Sequence, residues 1–92
     1  MTDPMIEQQA TIVNPLGLHA RPAAQMVRLA STFAAEIAVA KDGMEVNGKS
    51  IMGVMMLAAE CGSSVTIKAT GADAEQAVQA LAGLIAGGFG EM

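Results

Sequence analysis

The chemistry of this chain centres on one histidine. His19 is the single histidine among 92 residues, within the run Gly17-Leu18-His19-Ala20-Arg21-Pro22-Ala23. Proline lacks an N–H and is tolerated only in the first turn of a helix, where that donor has no helical partner. Pro22 therefore puts a helix start near Ala20 and His19 at or beside its N-cap. Such an end carries about half a positive elementary charge and several unpaired N–H donors. The field opposes a second positive charge on the ring, keeping the imidazole neutral with a lone pair free to attack. It also stabilises an anion placed on the ring. Arg21 adds a fixed cation able to contact phosphate oxygens. No carboxylate lies between Glu7 and Glu36, while Arg21 and Arg28 do, so an acidic chain of net charge −4 keeps this segment locally basic. Together these residues describe a histidine that accepts and holds a phosphoryl group. The plainer reading is a surface loop histidine with a weak capping role. No carboxylate is placed by the sequence to act as a base, and no Gly-rich nucleotide loop is present. Phosphate on His19 must therefore come from another protein.

Ser50 precedes a short Met-rich stretch and has the character of an N-cap, worth about 1 kcal/mol. A phosphate there suits a helix end and places about two negative charges on a surface. Ile51, Met52, Val54, Met55 and Met56 are either core or docking surface. So short a helix cannot bury every side, and an exposed apolar edge rich in adaptable methionine marks an interaction site. Arg28 and Lys49 are read either as a solvated face or as a positive rim attracting acidic partners. Cys61 is alone and has no basic neighbour to activate it, so it reads as structural.

The elements that must hold these residues follow from periodicity. Ile6 to Val13 alternates as a strand until Asn14, Pro15 and Gly17 break it. Ala23, Val27, Ala30 and Phe33 give a helix face between Ala20 and Phe33. Glu36 to Lys41, the turn dipeptide Asp42-Gly43, and Met44 with Val46 read as a hairpin. A short helix over Ser50 to Leu57 follows, then a strand through Val65, Ile67 and Ala69. The last helix carries Val78, Leu81 and Ile85 on one stripe, with Asp73 and Gln76 as a capping box and Gly87-Gly88 as its stop. The order βαββαβα predicts an α+β fold, a mostly antiparallel four-stranded sheet with helices on one face. The chain is expected to be one domain over residues 1–92, with frayed ends at about 1–4 and 88–92.

Composition narrows the class. Hydrophobic residues make up 52% and charged ones 15%, which is a folding composition. Five basic residues and two aromatics cannot readily build a nucleic-acid groove. No apolar run approaches the ~20 residues of a membrane helix, and no secretory signal opens the sequence. One cysteine excludes an internal disulfide and a paired-thiol metal loop, and points to a reducing compartment. A cytoplasmic monomer without metal or cofactor is expected.

Gly17-Leu18-His19-Ala20-Arg21-Pro22-Ala23 resembles the active-site motif of the HPr family, the histidine phosphocarriers of the bacterial phosphoenolpyruvate-dependent phosphotransferase system. Lys49-Ser50-Ile51-Met52-Gly53-Val54-Met55 is similar to that family's second motif. Both stand in register, so the resemblance covers nearly the whole chain. It implies an open-faced β-sandwich with strand order 1-4-2-3 under three helices. It implies that His19 is phosphorylated on Nδ1, taking phosphate from enzyme I and passing it to an EIIA-type domain, with Arg21 beside it. It implies Ser50 as the target of HPr kinase/phosphorylase. It implies a partner surface of Ile51, Met52 and Met55, to which the reading adds Leu16, Ala20, Arg28 and Lys49. Leu16 departs from the polar residue common in sugar-system members. The stretch Gly87-Gly88-Phe89-Gly90-Glu91 resembles NPr, the nitrogen-related paralogue. A regulatory relay without sugar transport is thus one alternative, and a small ligand-binding βαββαβ module is the other.

Overall fold

The computed structural model describes residues 4–91. The strands are β1 (Met5–Thr11), β2 (Glu36–Lys41), β3 (Met44–Asn47) and β4 (Ser64–Thr70). The helices are α1 (Ala20–Ala30), α2 (Ile51–Met56) and α3 (Ala74–Ala86), followed by a short turn over Gly88–Gly90. The strands form one sheet in the order β1-β4-β2-β3, and every neighbouring pair is antiparallel. This is the α+β architecture that the sequence pattern leads one to expect, in the strand order that the family resemblance implies.

The period-two pattern explains the sheet. In β4, Val65, Ile67 and Ala69 are buried, whereas Ser64 and Thr70 at its ends are exposed. Ile37 and Val39 of β2 join them, so the central strands supply one continuous apolar face. Asp42 and Gly43 have φ of 51° and 84°, the paired positive values that a two-residue hairpin turn needs. α3 packs on β1 and β4 through Ala74, Ala77, Val78, Leu81 and Ile85, and α1 packs on α2 and α3. Among the described residues no helix is long and apolar enough to cross a membrane.

Three local expectations are corrected. α1 stops at Ala30, and half-buried Phe33 packs from the loop beyond it. The buried face of the helix is Pro22, Ala23, Met26 and Ala30. Asp73 is the N-cap of α3, but its side chain makes no capping bond. Its two carboxylate oxygens instead accept the N–H groups of Ala34 and Ala35, each at 2.8 Å, tying the start of α3 to the entry of β2. The capping box with Gln76 is therefore absent, because a better pair of donors lies across the fold. Finally, the stretch over 88–91 is folded rather than frayed, with Phe89 at 4% exposure in the core. Of the other expected frayed positions, 1–3 and 92 lie outside the described residues.

Candidate functional site

The loop between β1 and α1 is held from both sides. Gly17 has φ of 67°, and a Cβ there would collide with the Ala59 carbonyl oxygen. Only glycine satisfies both the backbone angle and the approach. The next N–H, that of Leu18, donates to the same Ala59 carbonyl at 2.9 Å. Buried Leu18 then anchors the loop in the core and delivers His19 as the N-cap of α1, in extended backbone. The Ala23 N–H donates to the His19 carbonyl at 3.0 Å, closing the first turn. His19 makes no side-chain capping bond. Among the described residues the N–H groups of Ala20 and Arg21 donate to no protein acceptor, and Pro22 has none to give. Ala20 and Arg21 are exposed, so an anion can reach these donors, the helix field and the guanidinium together.

The imidazole has a partner that sequence spacing does not reveal. The Glu91 carboxylate, 72 positions away, lies at 2.9 and 3.1 Å from His19 Nε2. It also accepts from Asn14 Nδ2 at 2.9 Å. Asn14 is wholly buried, and its amide also donates to the Gly17 carbonyl at 2.7 Å. A carboxylate that the local sequence does not place at the site thus reaches it from beyond α3. The hydrogen bond from His19 is the main cause holding Glu91 below the usual carboxylate range, helped by the Asn14 amide and the charges of His19 and Arg21. An ionised carboxylate only accepts. Nε2 must therefore carry the ring proton, and in the neutral ring the lone pair is on Nδ1. Among the described residues Nδ1 has no protein hydrogen-bond partner, and the side chain is 36% exposed. An open hollow lined by Leu16, His19, Arg21, Gln25, Phe89 and Glu91 borders the ring.

A second cluster lies on α2, which packs against α1. Ser50 is its N-cap, and the hydroxyl accepts the Gly53 N–H at 3.1 Å. Val54 is the one residue within α2 that is buried. Ile51, Met52, Met55 and Met56 are exposed, Met52 at 77%, and Leu16 near His19 is 75% exposed. Arg28 is exposed in the last turn of α1. Lys49 is half-buried. Its ammonium donates to the Phe33 carbonyl at 2.8 Å and contributes a positive field at Asp73. Cys61 is exposed, with its thiol 3.6 Å from the Val13 carbonyl.

Comparison with known proteins gives the family and the fold. Residues 6–87 match the family model described as the PTS HPr component phosphorylation site. The phosphocarrier protein HPr of Cupriavidus necator is 48% identical over 87 residues, covering 95% of this chain and 98% of that protein. The chain belongs to the HPr family. A crystal structure of HPr from Thermoanaerobacter tengcongensis superposes with a TM-score of 0.91 at 48% identity, covering 95% of this chain and 98% of the other. Another, of an HPr dimer from the same organism, gives 0.76 at 52% identity over 82% and 86% of the two chains.

Family membership makes this a phosphocarrier fold and sets aside the unrelated ligand-binding module. Within the HPr frame the fold brings His19, Ala20, Arg21 and Leu16 to one end of the α1 entry loop. It leaves Ile51, Met52 and Met55 exposed on α2, which packs against α1, and it turns Lys49 toward Phe33. Sequence reasoning missed Asn14 and Glu91. The signal that could have found them is Phe89, an aromatic residue between glycines, which is poor composition for a frayed end.

Proposed function

We propose that His19 is the phosphoryl acceptor of this HPr-family protein, loaded by phosphorylated enzyme I and unloaded onto an EIIA-type domain. The observation that carries this reading is the ring's hydrogen bonding. Nε2 is committed to Glu91, while Nδ1 keeps its lone pair next to a helix start whose first donors are unpaired. In the step, the Nδ1 lone pair forms the new bond to phosphorus as the donor's bond to phosphorus breaks and its electron pair returns to the donor atom. Nε2 keeps its proton throughout. The Ala20 and Arg21 N–H groups and the Arg21 guanidinium are the groups that stabilise the phosphoryl oxygens. Incubation with phosphoenolpyruvate and enzyme I should add one phosphate, labile to acid and stable to alkali. A His19→Ala protein that still acquires that phosphate would refute the assignment.

Partner docking falls to Leu16, Ala20, Arg28, Lys49, Ile51, Met52 and Met55, with the Lys49 ammonium steadied by its bond to the Phe33 carbonyl. An exposed apolar patch with a cationic flank suits brief association with acidic proteins. Ser50 is the regulatory residue, modified by HPr kinase/phosphorylase. Its cap position supports this: a phosphate there suits the helix end, while its charge falls beside the exposed methionines. A Ser50→Asp protein should accept phosphate from enzyme I more slowly, and an unchanged rate would remove the regulatory role.

A further inference from the structure

Reading His19 as the acceptor leaves Glu91 without an assigned role, although the fold goes to some length to deliver it. Beyond α3 the chain makes a left-handed turn, with φ of 64°, 57° and 73° at Gly88, Phe89 and Gly90. Glycine adopts this backbone freely, but a phenylalanine at positive φ is strained by about 1 kcal/mol or more. Strain of this kind persists only where the surroundings over-determine it. Here Phe89 is buried to 4% exposure in the core, and Asn14 holds the following carboxylate from below. The result is a Glu91 side chain only 16% exposed, in contact with the ring through both its oxygens.

We propose that Glu91 is the positioning residue of phosphoryl transfer: it fixes the His19 ring as its Nε2–H form, aims Nδ1 outward, and balances the charge of the loaded ring. The proposal rests on His19 being the acceptor. When phosphorus bonds to Nδ1 and Nε2 stays protonated, the ring becomes a cation. A carboxylate already at 2.9 Å neutralises it without rearrangement. Removing Glu91 also leaves the neutral ring free to place its proton on Nδ1, the form that cannot attack. Asn14 extends the same device, because its amide joins the loop carbonyl at Gly17 to the carboxylate.

The test compares the wild-type chain with Glu91→Ala and Glu91→Gln, using ring nitrogen NMR signals of the unphosphorylated protein and the rate of loading by phosphorylated enzyme I. Wild type should show a single Nε2–H form. Glu91→Ala should show both forms and load about fivefold slower, the size expected of one partly screened charge contact. Glu91→Gln keeps an acceptor oxygen, so it should retain the ring form yet lose part of the rate. Phe89→Ala, which frees the whole segment, should reproduce the Glu91→Ala ring signals. A Glu91→Ala protein with wild-type ring signals, or with altered signals and an unchanged rate, overturns the proposal. Neither result touches the assignment of His19, which fails only if the His19→Ala protein still takes up the acid-labile phosphate.

Discussion

A single missing side chain governs the reactive loop. Gly17 faces the Ala59 carbonyl so closely that any Cβ must displace backbone. Gly17→Ala should therefore lose at least about 2 kcal/mol of stability, combining left-handed strain with the collision. Urea unfolding would show this as a lower midpoint. A midpoint equal to wild type would mean that the loop moves aside at little cost. Ser50 poses a gentler case, because only one hydrogen bond depends on it. Ser50→Ala should cost about 1 kcal/mol, a fall of about 4–8 °C in Tm for a chain this size. An unchanged Tm would show that the Gly53 N–H finds another acceptor. The position of His19 was legible in the sequence because Pro22 fixes a helix start by local covalent geometry. Glu91 was not, because nothing local relates positions 72 residues apart.

At the level of elements, α2 buries one residue and presents the rest. Its surface can therefore change without disturbing the core. Met52→Asp should shift unfolding free energy by no more than about 0.5 kcal/mol. It should weaken enzyme I binding on the order of tenfold by calorimetry, since the carboxylate must be desolvated at an apolar contact. An affinity equal to wild type would place the docking surface elsewhere. The strands and the stripe of α3 could be read directly, since burial on one side imposes its period on the residues. The end of α1 could not. Phe33 continues the helical spacing, but the chain has already turned, and the ring reaches the same core from a loop. Asp73 misled for a related reason. Its type suits a cap, yet two N–H groups brought across the fold compete successfully for its oxygens.

Across the whole molecule, two carboxylates act as long-range ties. The Ala34 N–H is the main cause holding Asp73 below the usual carboxylate range, with Ala35 assisting, and the hydrogen bond from His19 does the same for Glu91. A carboxyl group lowered in the folded state stabilises the fold above its ordinary titration range near pH 4, and that contribution is lost as pH falls through its folded value. Calorimetry should show Tm falling on acidification below about pH 4, with a shallower fall in an Asp73→Asn protein. A Tm that rises on acidification would contradict both ties. The topology has a consequence for how the protein comes into being. Among the described residues β1 pairs only with β4, and α1, β2, β3 and α2 lie between them in the chain. Such distant pairing makes folding wait on loop closure. Glu91 follows His19 by 72 positions, so the ring and its carboxylate meet only once α3 has packed on the sheet. If Glu91 positions the ring as proposed, a chain cut before Phe89 should still dock but load more slowly, by at least the roughly fivefold factor expected of Glu91→Ala.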